Sequence, residues 1–517
     1  MNLLADPILS AEPVGAVTLP GLFAASARGE VHGFPRLRAH QRAAWHMFRV
    51  QLGALALRAG GLSEPPEDEA TWTELLQALA PEHDDDAWRM VVEDRTRPAF
   101  LQPPDPGGLR WERVPTPDAL DMLITARNHD LKAAVAADAV PEDWVLALVS
   151  LQTSEGYGGR GNYGIARMNG GSSSRPFLGF APSDRTGSPD PSAWWRRDLS
   201  VLLRSQNTDT VLTRGGPALL WCLPWPEGEQ IVVQDMDPWA IEACRRIRLT
   251  EAQGRLVAER AGSTAARVEA KSFAGALDDA WAPIRLDGAE RKALTLSEGR
   301  FDYRRIVGLL LDGDWERPLA ARLDGDEASG DMVLIAEALS RGNSKTDGLK
   351  SRTVPVPEHV HGFFREAPER ISTAAAAQME EIKAADAALR ESVALYAAGG
   401  DHEKINAEKK KPYMRRRYYP RAAGPSARLD AVADRLFFPA LWDRVAGMET
   451  GPEAEDAAVS AFKRRLVNAA RSELQAAFAA IPCASALAPR AEARAQARLE
   501  GGLRMGRLIE ETATHGS

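Results

Sequence analysis

Seven glycines and three arginines fall within the twenty residues from Gly156 to Arg175. Glycines let a backbone approach a ligand closely and leave its N–H groups open to anions. Arginines supply forked donors for a phosphate or the edge of a base. Gly156, Gly158, Gly159, Arg160, Gly161 and Asn162 therefore predict a loop pressed against nucleic acid or a nucleotide. A long, flexible surface loop is the competing reading. A triphosphate-binding loop would need Gly-Lys-Ser/Thr, and the stretch has none.

Two other segments carry similar chemistry. Ser340 to Gly348 is polar and lies between an apolar run and Val354-Pro355-Val356, so Asn343, Ser344 and Lys345 predict a hairpin tip. From residue 401 to 421 there are eight Lys/Arg against three Asp/Glu, with Tyr413, Tyr418 and Tyr419 interleaved. Basic and aromatic residues together suit a nucleic-acid backbone; a solvated connector between helices fits equally well. Catalytic patterns are weak by comparison. Asp235-x-Asp237 could hold a metal but reads better as an acidic strand end, and His359-Val360-His361 offers two ligands without a third. No triad, carboxylate pair or metal cluster emerges, so neither catalysis nor a cofactor is expected.

These segments need a scaffold. Trp45, Phe48, Leu52, Leu55 and Ala56 recur at helical spacing, which predicts a helix from His40 to Arg58 with one buried face. A second helix is predicted from Thr71 to Leu79 and a third from Phe301 to Leu311. Ala218 to Leu223 and Gln230 to Val233 read as buried strands. Beyond residue 370 alanine rises and four amphipathic helices follow. The first is capped by Ser372 or Thr373. The second, Arg428 to Val445, contains Pro439, which predicts a kink. The third starts after Gly451-Pro452 and the fourth near Pro489. The whole is α+β: a mixed α/β part, 1–370, followed by a four-helix bundle, 371–517.

Composition agrees with a globular protein: 517 residues, 44% hydrophobic and 26% charged. Three widely spaced cysteines argue against a disulfide scaffold and a cysteine zinc site. The N-terminus lacks a basic region followed by an apolar run, and no stretch approaches the ~20 apolar residues of a membrane span. A cytoplasmic location without membrane attachment is the expectation. The net charge of −8 disfavours nucleic-acid binding over the whole surface, though not at a local patch.

Four pieces, in this order, resemble CasA, the large subunit of the type I-E CRISPR surveillance complex Cascade. They are Ala39-His40-Gln41-Arg42-Ala43-Ala44-Trp45-His46 with its helix, Pro98-Ala99-Phe100-Leu101-Gln102, the glycine-rich stretch with Leu151-Gln152-Thr153 before it, and Arg341 to Gly348. The resemblance implies a non-catalytic subunit that inspects duplex DNA for the protospacer-adjacent motif. It implies a glycine loop at Gly156 to Asn162 and a wedge at Asn343, Ser344 and Lys345, where some relatives carry Gln. A loop that helps hold the complex would include Asn128 and Lys132. A minor-groove lysine would be Lys271 or Lys292. The implied partners are double-stranded target DNA, the crRNA-containing Cascade subunits and a helicase–nuclease effector. Some relatives have a four-cysteine metal site, absent here. A metal- or nucleotide-dependent nucleic-acid enzyme and a purely structural scaffold subunit remain as alternatives.

Overall fold

A computed structural model describes residues 1–120, 139–205, 210–288, 290–297, 299–323, 330–342, 345–410 and 417–509, with only the backbone at 342 and 345–347. The chain divides into two compact units. The first comprises Met1–Phe301 and Gly308–Glu358, the second Asp302–Val307 and His359–Ser517. The boundary read at 370/371 falls within the helix Pro368–Ala397.

The first unit mixes helices with small, mostly antiparallel sheets, as an α+β chain should. Its central helix, Arg42–Ala59, is buried from Ala44 to Leu57 without interruption. A helix covered all round belongs in a core rather than on one face of it. The single buried face expected from the sequence is thus an underestimate. Helices Glu69–Gln77, Pro141–Ser154 and Pro191–Arg204 pack around it. Aromatic rings fill the gaps: Phe23 stacks on Trp195 with centroids 5.6 Å apart, and Trp45 on Phe48 at 5.8 Å. The Thr71–Leu79 expectation corresponds to Glu69–Gln77, capped by Asp68, whose carboxylate accepts from Thr71 N.

Three strands form the sheet that matters for the site. Met332–Gly342 lies between Phe177–Pro182 and Lys345–Val356, antiparallel to both. Its hairpin runs in register from Met332↔Val356 to Gly342↔Lys345, with a bulge after Ser340. A second sheet pairs Arg255–Ala261 with Glu112–Val114 and Arg246–Ala252. The strand expected at Ala218–Leu223 is instead a 3-10 turn, Leu220–Cys222, while Ile231–Val232 does pair, in parallel with Val268–Glu269. Short buried apolar runs do not distinguish strand from turn by periodicity.

The second unit is built from helices Pro368–Ala397, Ala423–Thr450, Pro452–Ala480 and Ala488–Met505, with shorter His361–Glu366 and His402–Lys410. Leu389, Phe437, Leu441, Leu466, Leu474 and Leu499 lie in its core. Gly502 allows close approach, since a Cβ there would come 2.7 Å from the Cβ of Ala388. The cap expected at Ser372 or Thr373 is overturned. The helix begins at Pro368, whose missing N–H costs nothing at a first position, and Thr373 Oγ1 donates back to Glu369 O. Pro439 sits inside Ala423–Thr450. Residues Asp302–Val307 complete this unit: Tyr303 stacks on Phe437 at 4.6 Å, its N–H donates to Asp434 Oδ1 (2.8 Å), and Arg304 pairs with Asp430 (2.6 Å). No helix among the described residues is long and apolar enough to cross a membrane.

Candidate nucleic-acid interface

The glycine-rich stretch begins where helix Pro141–Ser154 ends. Arg175 N donates to Ser154 O (2.8 Å) and Ile165 N to Glu155 O (3.1 Å), so the loop is closed at its root. Gly156 is buried there. A Cβ on it would come 2.6 Å from Gly171 O, and one on Gly164 would come 2.7 Å from the carbonyl carbon of Gly156. These two glycines allow strands of loop to touch and leave no room for a ligand.

The tip is different. Gly158 N donates to Asn162 O (2.8 Å) and Asn162 N to Gly159 O (2.9 Å). Gly159 through Asn162 thus form a β-turn with left-handed Gly161 (φ 82°) at its third position, where a side chain is disfavoured. Gly159 has φ 113°, and a Cβ built on it meets nothing within 4 Å. Arg160 and Gly158 are exposed. Ser263 N donates to Gly161 O (3.0 Å) and Tyr163 Oη to Thr264 O (3.1 Å), so a neighbouring loop braces the turn.

Of the three arginines, only Arg160 is available as a surface donor. Arg167 is buried against Glu242 (3.1 Å) and Arg175 against Asp279 (2.6 and 2.9 Å). Burial would raise the Asp279 carboxyl, but the Arg175 guanidinium outweighs it and holds it below the ordinary carboxylate range. Under the loop, burial pushes the Cys244 thiol up to about 11, so it stays protonated at neutral pH.

Glu155 joins the loop to the hairpin. Its buried carboxylate pairs with Arg341 (2.5 Å), near the end of strand Met332–Gly342, and with Arg245 (3.6 Å), which also donates to Gly156 O (2.8 Å). Ser174 N donates to Leu339 O (3.0 Å), and Leu339 N to Ser174 Oγ (2.8 Å). Two segments more than 150 residues apart thus share one charged node. Nothing local in the sequence signals Glu155, because both of its partners are remote. The hairpin is as expected, but Asn343 and Ser344 lie outside the described residues, as does the side chain of Lys345. Asn128 and Lys132 lie outside them too.

Of the two candidate lysines, Lys271 opens the 3-10 turn Lys271–Phe273 and Lys292 lies in strand Glu290–Ala293. Lys271 is exposed and carries no ion pair among the described residues; Lys292 pairs with Glu290. The chain just after that turn packs on the loop, since a Cβ on Gly275 would come 2.6 Å from the carbonyl carbon of Met168. In the second unit, Lys409 of the basic run is held by Glu391, which also takes Arg498, while Arg417 is exposed over the Tyr418 ring. Residues 411–416 are outside the described set.

The weaker patterns come apart. Asp237 is buried on Arg58 (2.5 Å) and accepts from Gly215 N and Trp239 N (both 2.8 Å), whereas Asp235 is exposed. His359 and His361 sit in helical turns, one exposed and one buried, and not on a strand. Among the described residues, no three His, Cys, Asp or Glu side chains are grouped to hold a metal.

No protein-family profile and no curated protein matches the chain. Solved structures do. It is similar to the CRISPR-associated protein Cse1 from Acidimicrobium ferrooxidans, with 17% identity, 98% of each chain covered and a TM-score of 0.63. It is similar to CasA from Thermus thermophilus, with 16% identity, 98% of this chain and 99% of that one, and a TM-score of 0.62. Thermobifida fusca Cse1 gives 15% identity, 98% of each chain and a TM-score of 0.60. At such identities the likeness speaks for the backbone alone, and along nearly its full length this chain has the Cse1/CasA fold.

Proposed function

We propose that this chain is the large subunit of a type I-E CRISPR Cascade complex, a non-catalytic reader of the protospacer-adjacent motif in duplex DNA. The observation that carries the reading is a hydrogen-bonded turn, Gly158–Asn162, exposed at Gly158 and Arg160 and set on a buried root that is tied to the hairpin stem through Glu155. The minor groove is about 6 Å wide and offers mainly an A·T-versus-G·C pattern. A glycine backbone fits that space and can sense the guanine amino group. Arg160, exposed on the turn, adds a groove or phosphate contact, and Lys271, exposed and without an ion pair among the described residues, is the candidate minor-groove lysine. The hairpin tip, Asn343, Ser344 and Lys345, acts next by opening the first base pairs. Sequence specificity comes from the guide RNA, so the protein need read only a short motif. Asn128 and Lys132 help hold the assembled complex. The crRNA-containing subunits share the phosphate contacts, which makes the net charge of −8 tolerable, and a helicase–nuclease effector follows. The site is cytoplasmic.

The test is reconstitution with guide RNA and the other Cascade subunits, followed by binding to a library randomised beside the target. Arg160→Ala should weaken motif-dependent binding, while Lys345→Ala should leave binding and slow strand opening. Binding that ignores the flanking sequence in the wild type would refute motif reading.

A further inference from the structure

Beside helix Arg42–Ala59 lies a cavity of about 530 Å³ with no lining residue from the glycine loop; it reaches the stem of the hairpin only at Thr353. That volume is within the range of roughly 300–1,000 Å³ common for small-molecule sites. Phe34, Trp45, His46, Arg49 and Trp194 form its walls, and Thr353 lies on its rim.

The charges around it do not balance. Arg38 pairs with Asp118, and Arg42 with Glu337. His46 donates to Asp198 (2.8 Å), which Arg197 neutralises (2.8 Å). Burial holds the imidazole down to about 4, so His46 is neutral. Arg49 is left over. It is 2% exposed, has no carboxylate partner among the described residues, and makes only a 3.5 Å bond to Ser26 Oγ. Its guanidinium lies 4.6 Å from the Phe34 centroid and 5.8 Å from that of Trp45. Ring faces return less than the desolvation of a buried cation costs. Burial lowers Arg49 to about 9, so it still carries its charge at neutral pH.

The polar atoms tell the same story. Trp45 Nε1, Trp194 Nε1 and Arg49 Nε are donors, buried and without a hydrogen-bond partner. Native interiors leave few such groups, and here three occur on side chains lining one cavity. His46 stacks on Trp194 at 3.6 Å, which fixes the aromatic wall.

We propose that this cavity binds a small planar carboxylate, its anionic group on Arg49 and its ring against the Trp45 and Trp194 walls. One unpaired cation matches one negative charge. A phosphate dianion would need a second free cation, and Arg38 and Arg42 are already paired.

Calorimetric titration of the purified full chain tests this, with 1-naphthoate, 1-naphthamide and inorganic phosphate as probes. Naphthoate should bind one to one, naphthamide about tenfold or more weaker, and phosphate should not displace naphthoate. Arg49→Met should weaken naphthoate about tenfold to hundredfold, the usual worth of a hydrogen bond to a charged group. Thr353→Trp, at an exposed rim position, should block entry while leaving Arg49 untouched, and it decides the matter if Arg49→Met does not fold. Absence of naphthoate binding at millimolar concentration, equal affinity for the amide, displacement by phosphate, or full binding to Thr353→Trp would each overturn the proposal.

Discussion

Gly159→Ala separates a loop that reads DNA from a loop that merely folds. Within the protein the new methyl meets nothing within 4 Å, so no steric cost arises. The backbone angle, φ 113°, is unfavourable for an L side chain and costs about 1–3 kcal/mol. For a unit of this size that lowers the melting temperature by about 2 °C per kcal/mol or less. If the turn reads the minor groove, the methyl would occupy space that only backbone can share, and discrimination is worth about 1–3 kcal/mol per base pair. The reconstituted complex carrying Gly159→Ala should thus melt within a few degrees of wild type and lose about tenfold to hundredfold in motif selectivity. Gly156→Ala should behave oppositely. Its methyl would come 2.6 Å from Gly171 O at the loop root, an overpacking of about 1–3 kcal/mol that lowers stability and disturbs every function of the loop together. Selectivity is read from binding to the randomised library, stability from thermal melting. If Gly159→Ala keeps wild-type selectivity in the assembled complex, the turn is not the reader.

Glu155→Gln leaves Arg245 and Arg341 without their shared anion and should cost about 3 kcal/mol in urea unfolding, since breaking a buried pair exposes the remaining charge to its own desolvation cost; an unchanged midpoint would remove Glu155 as the link between loop and hairpin. Asp279, held low by Arg175, contributes stability that is present above the unfolded-state pKa of about 3.9 and lost as pH falls below it toward the folded value. Asp279→Asn should therefore be less stable than wild type at pH 7 and show a flatter loss between about pH 5 and pH 2; equally steep acid unfolding in both proteins would contradict this. If the basic run touches phosphates, Arg417→Ala should reduce the slope of log affinity against log salt by about one unit without altering motif preference; a changed preference would point to base contact instead.

Periodicity carried the C-terminal helices, because Leu429, Leu441, Leu466 and Leu499 repeat on faces that end up buried. The glycine stretch was legible as a special loop, and its hairpin neighbour as a polar tip. What composition could not do was sort residues within the loop. Arg167 and Arg175 look like Arg160 on paper, yet they are buried by Glu242 and Asp279, 75 and 104 positions away. Glycines diverge in the same way: Gly156 makes room for neighbouring carbonyls, while Gly159 supplies a backbone angle in open space. The cavity around Arg49 left no trace, since the His46–Asp198 pair spans 152 positions and a buried arginine in a helix reads like an exposed one.

The six residues Asp302–Val307 make the bundle a structure sewn from two pieces of chain. A fragment starting at His359 would lack Tyr303 and Arg304, and with them the ring stacked on Phe437, the bond to Asp434 and the ion pair to Asp430. During synthesis Tyr303 emerges long before Phe437, so the stitch waits for its cloth through more than a hundred residues of translation. A nick between the units would not release the bundle whole; the severed C-terminal piece would still hold its partner by this thread, and a clean excision takes three cuts rather than one.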